Sequence, residues 1–445
     1  MRPRYLKLVE HVGLPPVALV RQTFETREAG DPASAVHHAL AGAPCVSALK
    51  PGMSIALTVG SRGLADLPAL VRAIVREVRE RGAHPFIVPA MGSHGGATAE
   101  GQISVLAQLG VTERTAGCPI RSSMETVELG RLANGMEVRI DRLAFEADGI
   151  VLFNRIKPHS AFRAPNESGL VKMLSIGLGK RSGADNCHAW GFNHVGRLIV
   201  EMARMKLATC RVLFGIATLE NAYHRLSQVV VLPTERMIER ERELLIEAMR
   251  NMPRLPLGPL DQPLASGPLD VLVVDAVGKE FSGSGMDPNI TGRPSTTAIS
   301  GGPSVSRIVA LDVTDKSEGN ATGVARADVV TERLAGKFSR DAVYTNSLTS
   351  CVLSAAALPM VMPDDRTAIQ AAVKTCESHT PDSLGLIRIP NTLNLEHLYA
   401  SEALLPALRD RPGVEVLTDP QPMRFGGDGA LVDQWPGAGI GMPET

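Results

Sequence analysis

The 445-residue sequence has few aromatic residues and almost no net charge. Aromatic residues make up only 4% of the chain, which predicts a core of aliphatic side chains and argues against an aromatic stacking surface for single-stranded nucleic acid. The 46 Lys and Arg residues are balanced by 47 Asp and Glu residues, so the sequence has no basic excess to attract nucleic acid or a membrane surface. We therefore expect neither nucleic acid nor a membrane as a partner.

Cysteines are also few, and they are not arranged in pairs. No CxxC motif occurs, which argues against a disulfide framework and against a thiolate zinc site. The N-terminal residues lack the apolar core of a signal peptide, and no apolar run is long enough to cross a membrane. These features predict a cytoplasmic protein with reduced thiols at Cys45, Cys118, Cys187, Cys210, Cys351 and Cys376.

The length of the chain predicts more than one domain. A strand at 54–61, an amphipathic helix at 64–82 and a strand at 84–91 form a βαβ pattern, which implies parallel strands and a right-handed crossover. The proline-rich segment 251–268 is typical of a linker. We therefore predict an N-terminal domain at 1–268, a C-terminal domain at 269–425 and a tail at 426–445 that packs back on the N-terminal domain.

The C-terminal domain shows a similar alternation of strand and helix patterns. Strands are predicted at 269–278, 306–313 and 384–389, and helices at 321–338 and 366–378. The fold class that these patterns predict is α/β, with two domains that each contain a Rossmann-like sheet flanked by helices. Ligands of such folds bind at the carboxyl ends of strands, so a cofactor or substrate cleft between the domains is expected.

Polar groups follow three predicted strands of the N-terminal domain. Arg62 stands in GSRG after the first strand and is either a surface residue or a ligand for a carboxylate or phosphate. His94 stands in GSHGG after the second and is either an ordinary turn histidine or a general base, and the amides around Ser93 and Gly95 suit an anion. His159 stands in KPH after the strand at 149–156. Three such groups at equivalent points of one sheet favour a functional site.

Two further residues and one loop are ambiguous when taken alone. Lys172 lies in the apolar stretch GLVKMLSIGLG and either extends to solvent from a helix edge or is a desolvated, nucleophilic amine. His188 is either a metal ligand or a partner of Trp190. The loop at 278–293 either faces the expected cleft or is a flexible surface segment, and its polar residues include Lys279, Asp287 and Asn289.

In this order, the motifs GSRG, GSHGG, KPH, GLVK and CHAWGF resemble the nickel-dependent lactate racemase family. In that family a pyridinium-derived pincer nucleotide is joined to a lysine through a thioamide, and a histidine completes its nickel site. The resemblance implies that Lys172 carries the nickel-pincer nucleotide, that His188 binds nickel and that His94 and His159 are the acid/base pair. It also implies that Arg62 holds the substrate carboxylate.

The activity implied by the resemblance is an isomerase that racemises or epimerises a 2-hydroxy acid. The cofactor would be surrounded by further polar residues, namely Arg62, Ser93, Gly95, Lys279, Asp287 and Asn289. Val59 replaces an acidic residue of lactate racemase relatives, and the polar segment 160–171 is longer than theirs. We therefore expect a larger substrate than lactate, such as a sugar acid, with Arg163 and Glu167 in contact with it.

Two other classes remain as alternatives. A metal-dependent hydrolase or lyase would use His94, His159 and His188 as direct metal ligands. A cofactor-free protein would bind an acidic metabolite through Arg62 and the GSHGG loop. For the racemase, the expected partners are a small 2-hydroxy acid, the proteins that make the cofactor and further copies of the chain in a homo-oligomer.

Overall fold

The computed structural model of this protein describes residues 3–258, 268–377, 380–432 and 435–436. The strands in these residues are β1 Val17–Gln22, β2 Ser54–Val59, β3 His84–Pro89, β4 Thr126–Arg131, β5 Glu137–Asp141, β6 Gly149–Arg155, β7 Val212–Glu220, β8 Leu226–Pro233, β9 Pro268–Val277, β10 Ser304–Val313, β11 Val329–Thr331, β12 Met360–Met362, β13 Leu386–Ile389, β14 His397–Ser401 and β15 Val414–Val416.

Helices alternate with these strands over most of the chain. They are α1 Pro32–Ala41, α2 Leu67–Glu80, α3 Ala99–Gln108, α4 Glu113–Ala116, α5 Arg142–Glu146, α6 Leu170–Lys172, α7 Lys180–His188, α8 Phe192–Thr209, α9 Met237–Asn251, α10 Pro288–Thr291, α11 Glu332–Lys337, α12 Arg340–Ser350, α13 Asp365–Lys374 and α14 Leu405–Arg409. A π-helical segment, Met173–Gly177, continues α6.

The chain divides into two compact units. One is continuous and runs from Glu25 to Met252, and we call it the central unit. The other combines Met1–Phe24 with Pro253–Thr445, and we call it the split unit. This division differs from the predicted domains because β1, at Val17–Gln22, pairs with β14 and β15 from the other unit-forming segment of the split unit.

The central unit is built on a sheet with the strand order β3-β2-β6-β7-β8. The first four of these strands are parallel, and β8 is antiparallel to β7. The predicted βαβ pattern is confirmed, because β2 and β3 are parallel and α2 connects them. The predicted apolar face of α2 is buried in the core through Leu67, Leu70, Val71, Ile74 and Val78.

The split unit contains a larger sheet with the order β12-β11-β10-β9-β13-β14-β1-β15. Its strands from β12 to β13 are parallel, and the remaining pairs are antiparallel. Both units are therefore mixed α/β structures with parallel strands and helices, in agreement with the predicted fold class.

The helix predicted over 321–338 is wrong. A 3-10 turn at Val324–Arg326 is followed by the buried strand β11, and only then by helix α11. The β-branched residues of β11 pair with β10 and β12, and this tertiary pairing outweighs the helical pattern of the surrounding sequence. Thr331 then caps α11, since its side chain accepts a hydrogen bond from the amide of Leu334 at 3.1 Å.

The predicted C-terminal tail lies partly outside the described residues. Its described part contacts the split unit, where the amide of Leu431 donates to Asp365 at 2.9 Å and the indole of Trp435 donates to Asp275 at 2.9 Å. Residues 433–434 and 437–445 of the tail, and 259–267 of the predicted linker, are not described.

Candidate active site

The candidate site begins at one edge of the central sheet. Because β2, β3 and β6 are adjacent and parallel, their carboxyl ends lie at the same edge. Arg62, His94 and His159 follow those three ends, as the sequence predicted. A hydrogen bond between Ser61 Oγ and His94 Nδ1 joins the first two loops directly.

Arg62 and His94 are both accessible to solvent. Protein atoms around Arg62 nevertheless desolvate its guanidinium enough to lower its pKa. A group that stays charged and reachable is suited to binding a carboxylate. The contact with Ser61 was not anticipated, although the GSRG motif places a hydroxyl immediately before the arginine.

The loop that carries His94 depends on glycine. Gly92 and Gly95 both adopt positive φ angles, +60° and +66°. A Cβ atom on Gly95 would also overlap the backbone of Gly101 in α3. Ser93 is partly buried next to His94. The predicted cofactor contacts of Ser93 and Gly95 stay predictions.

His159 lies in a loop that closes on itself, Lys157–Ser168, which we call the His159 loop. Its ends pair through two backbone hydrogen bonds between Lys157 and Ser168, of 3.0 and 3.3 Å. The buried carboxylate of Glu167 accepts hydrogen bonds from the amides of His159 at 2.6 Å and Ala164 at 3.1 Å. Glu167 therefore holds the backbone of the loop at two points.

The predicted substrate residues Arg163 and Glu167 contact each other within this loop. Arg163 Nη1 lies 3.2 Å from Glu167 Oε2, and one fifth of the Arg163 side chain is exposed. Glu167 is thus used to hold the loop, and its predicted contact with substrate stays a prediction. Asn166 is fully buried and donates to Glu241 at 3.2 Å, so it also acts as a structural residue.

Lys172 lies at the end of α6, where the helix changes to π geometry. Its Nζ is 2.6 Å from Nε2 of His159. Burial, followed by the charge of Arg62, lowers the pKa of Lys172 to about 8. Of the two readings of Lys172 from sequence, the structure favours the desolvated amine.

The segment around Lys172 is held by buried ionisable residues that the sequence did not reveal. Glu241 in α9 accepts a hydrogen bond from the amide of Val171 at 2.9 Å, at the start of α6. Lys206 in α8 donates to the carbonyls of Leu174 and Ser175 at 2.9 and 2.8 Å, within the π segment. Isolated π turns are frequent at functional sites because they place side chains at unusual positions.

His188 is the last residue of α7 and is partly buried. Its Nδ1 is buried and has no hydrogen-bond partner among the described residues. Burial, followed by the charge of Lys172, lowers the pKa of His188 to about 4, so the ring is neutral near pH 7. A neutral imidazole with an unpaired nitrogen has the properties of a metal ligand.

His159 has the same preference for the neutral form. Burial, followed by the charge of Lys172, holds the pKa of His159 well below its usual range. Its ring packs against Phe162 with 4.4 Å between ring centroids, and the ring of His188 lies 5.7 Å from that of Phe192. The two phenylalanines are themselves 6.4 Å apart, so both histidines border one aromatic cluster.

A fourth strand end also contributes polar residues that the sequence analysis missed. Glu220 at the end of β7 forms an ion pair with Arg155 at the end of β6, and it accepts a hydrogen bond from the amide of Ala65 at 2.8 Å. Although burial acts in the opposite direction, Arg155 contributes to lowering the pKa of Glu220 to about 2. The pair anchors the loop after Arg62 through the amide of Ala65. The position of Glu220 and Arg155 at strand ends is the sequence feature that could have predicted this role.

The predicted residues of the split unit make contacts inside that unit. Lys279 donates to the carbonyl of Gly283 at 3.1 Å and to Asn346 at 3.0 Å. Asp287 accepts hydrogen bonds from the amide and the side chain of Asn289 at 2.9 and 2.8 Å. The predicted cofactor contacts of Lys279, Asp287 and Asn289 stay predictions.

Direct metal binding by three histidines would need a convergent group of ligands. No group of three or more His, Cys, Asp or Glu side chains placed to hold a metal ion is found in the described part of the chain.

In the same described residues, no helix combines the length and the apolar character needed to span a membrane.

The fold and the site define an α/β protein with histidines, an arginine and a desolvated lysine grouped around one sheet edge. Residues 13–195 match the family model described as the lactate racemase N-terminal domain. This segment of the chain is therefore similar to the N-terminal domain of lactate racemase.

Comparison with other proteins adds two structures of low similarity. The lactate racemase apoprotein from Thermoanaerobacterium thermosaccharolyticum is 14% identical, with 78% of this chain and 87% of that chain covered and a TM-score of 0.48. The SsfS6 glycosyltransferase from Streptomyces sp. SF2575 is 12% identical, with 74% and 91% covered and a TM-score of 0.17. Neither structure supports an argument about activity at these values. No curated protein matches the sequence.

Proposed function

We propose that this protein racemises or epimerises a 2-hydroxy acid with a nickel-pincer nucleotide attached to Lys172. One observation carries the proposal. The amine of Lys172 contacts His159 at 2.6 Å, and its charge contributes to the lowered pKa values of both His159 and His188. A nucleophilic amine, an acid/base histidine and a candidate nickel ligand therefore occupy one neighbourhood.

The residues in this neighbourhood fit the proposed cofactor. Lys172 offers an amine whose pKa is lowered to about 8, which makes attachment at neutral to mildly basic pH chemically reasonable. His188 offers a buried Nδ1 without a hydrogen-bond partner among the described residues. A single imidazole is the ligand that the protein has to add when the cofactor supplies the other donors to nickel.

The histidines and the arginine account for the rest of the chemistry. When bound, the cofactor supplies reversible hydride transfer at Cα of the substrate. His94 and His159 exchange the hydroxyl proton, one acting on each hand of the substrate, and the low pKa of His159 keeps its ring in the neutral form. Ser61 orients the His94 ring, and Arg62 binds the substrate carboxylate.

The proposed substrate is larger than lactate. Arg163 is a partly exposed cation of the His159 loop, and Glu167 and the carbonyl of His159 hold its guanidinium at 3.2 and 3.0 Å. An arginine fixed in this way suits a second carboxylate or the hydroxyls of a sugar acid. Replacing Arg163 by Met should raise KM for such substrates more than KM for lactate.

Mass spectrometry and metal analysis test the proposal. The protein would be produced together with a pincer-cofactor biosynthesis system, and the expected result is an adduct on the Lys172 peptide with about one nickel per chain. Lys172→Arg should abolish the adduct, whereas Lys157→Arg, which changes a lysine of the same site, should retain it. An unmodified Lys172 in the co-produced protein would refute the cofactor assignment.

Isotope labelling then tests the reaction. Purified holoenzyme would be incubated with single enantiomers of 2-hydroxy acids in D2O, and the products separated by chiral chromatography. Inversion with retention of the Cα hydrogen is expected from hydride transfer. Deuterium at Cα would instead indicate proton abstraction, and no inversion of any 2-hydroxy acid by nickel-loaded enzyme would refute the activity.

A further inference from the structure

Two buried side chains outside the proposed chemistry connect to the loop that carries His94. Gln102 lies in α3 and is fully buried. Its Nε2 donates to the carbonyl of Gly92 at 2.9 Å and to the carbonyl of His94 at 3.4 Å. The side-chain amide of Gln102 therefore holds the backbone on both sides of Ser93, at Gly92 and at His94.

Lys180 determines how this amide is oriented. It is also fully buried, and its Nζ donates to Oε1 of Gln102 at 2.9 Å and to the carbonyl of Pro89 at 2.7 Å. An ammonium group can only donate hydrogen bonds, so the Gln102 oxygen must face Lys180 and its NH2 group must face the His94 loop. The carbonyl of Pro89 belongs to the end of β3, so Lys180 holds both the strand end and the amide.

The charge of Lys180 is compensated by Asp141, which lies 3.1 Å away and is equally buried. Burying an ammonium and a carboxylate is unfavourable before the two groups pair, and an apolar pair of similar volume is often as stable. Lys180 also has a positive φ angle of +52°, which is unfavourable for a residue with a side chain. Stability alone is a poor explanation for this arrangement.

We propose that Gln102 and Lys180 are positioning residues that fix the loop of His94 at the sheet edge. The proposal rests on the acid/base role proposed for His94. A base must lie within hydrogen-bond reach of the proton that it transfers, and a displacement of about 1 Å can cost a factor of about 100 in rate. Gln102 and Lys180 fix the backbone of the His94 loop, while Ser61 contacts the His94 ring.

The first test uses the apoprotein and needs no substrate. Gln102→Glu keeps the acceptor for Lys180 but replaces the NH2 group by an oxygen that faces two carbonyls. The His94 Cε1–H resonance would be recorded in protein labelled at histidine and assigned by its loss in His94→Gln. We expect it to shift or split in Gln102→Glu at unchanged pH.

A matched control separates this effect from general loss of a buried glutamine. Gln22 in β1 makes the same type of contact, since its Nε2 donates to the carbonyls of Leu395 at 2.7 Å and Arg254 at 3.2 Å. Gln22→Glu should leave the His94 resonance in place. If Gln102→Glu does not fold, Lys180→Met combined with Asp141→Asn removes the charge pair together and should displace the same resonance.

Turnover provides the second readout. In holoenzyme, Gln102→Glu should lower kcat by a factor of about 100 while the Lys172 adduct is retained, because Lys172 contacts His159 and not this network. An unchanged His94 resonance in the folded variants would overturn the proposal. A displaced resonance supports it even if wild-type enzyme converts no 2-hydroxy acid, a result that would instead count against the proposed function.

Discussion

Lys172 Nζ lies 2.6 Å from His159 Nε2, although the two residues are 13 positions apart in the sequence. The amide of Ala161 donates to the other ring nitrogen, Nδ1, at 3.0 Å. In a neutral imidazole the proton must then be on Nε2, where it faces the lysine. The amine has to accept that hydrogen bond with its lone pair, so the geometry favours neutral Lys172.

The first prediction concerns the reactivity of Lys172 in the apoprotein. Its pKa is lowered to about 8 because burial disfavours the charged form. About half of Lys172 should therefore be neutral at pH 8, whereas an unperturbed lysine is less than about 1% neutral there. Trace acetylation from pH 6 to 10, followed by peptide mass spectrometry, should give a midpoint near 8. A midpoint near that of a model lysine peptide would contradict the prediction.

The second prediction concerns nickel. His188→Ala removes the proposed protein ligand but leaves Lys172 intact, so nickel should fall by at least about tenfold while the Lys172 adduct persists. His194→Ala is the matched control, because His194 is an exposed histidine of α8 that packs edge-on against Trp190. Equal nickel contents in the two variants would rule out His188 as the ligand.

The third prediction concerns stability and pH. Burial raises the pKa of Glu241 to about 7, so the folded protein binds a proton that the unfolded chain has lost above about pH 4.5. The stabilisation from this group is therefore present below pH 4.5 and is lost as the pH rises through 7, by roughly 3 kcal/mol in total. Glu241→Gln should remove this part of the pH dependence.

Urea unfolding of wild type and Glu241→Gln at pH 5 and pH 8 measures the effect. The free energy of unfolding of the wild type, relative to that of the variant, should be lower at pH 8 than at pH 5. The comparison cancels the contributions of other titrating groups, since both proteins contain them. Parallel pH profiles for the two proteins would show that Glu241 titrates normally.

The fourth prediction concerns the packing of the His94 loop on α3. A Cβ atom on Gly101 would overlap the carbonyl oxygen of Gly95, which is backbone and cannot rotate away. Gly101→Ala should therefore destabilise the protein by about 1–3 kcal/mol, as overpacking of a filled site does. In contrast, Gly336 in α11 has nothing within 4 Å of its Cβ position. Gly336→Ala should be neutral or stabilising by up to about 1 kcal/mol.

Thermal denaturation distinguishes these two alanine variants directly. The melting temperature should fall for Gly101→Ala and stay level or rise for Gly336→Ala. Equal changes in the two variants would mean that the loop can shift away from α3 without cost.

Local patterns were sufficient to predict the strand edge of the site. The apolar periodicity of α2 and the apolar runs of β2, β3 and β6 are properties of short segments, and they place Arg62, His94 and His159 after parallel strands. The prediction over 321–338 failed because the pairing partners of β11, which are β10 and β12, lie outside that window.

Long-range contacts of single side chains were beyond sequence reasoning. Glu241 accepts a hydrogen bond from the amide of Val171, which lies 70 positions away in the sequence. Lys180 donates a hydrogen bond to Gln102, which lies 78 positions away. Nothing in the local sequence of either residue marks it as buried, because charged side chains are usually exposed. The lack of a hydrogen-bond partner for His188 Nδ1 among the described residues likewise depends on the tertiary structure, which the local sequence does not specify.

The pairing of β1 with β14 and β15 has a consequence for biosynthesis. As the chain leaves the ribosome, the central unit is complete once residue 252 has emerged, and every strand of its sheet is then available. The split unit forms later, because β1 precedes the central unit in the sequence and its partner strands β14 and β15 follow it. During this interval β1 has unsatisfied backbone edges, which invite pairing with other chains. A nascent-chain chaperone that covers the first 24 residues would therefore raise the yield of this protein more than one that acts on the central unit.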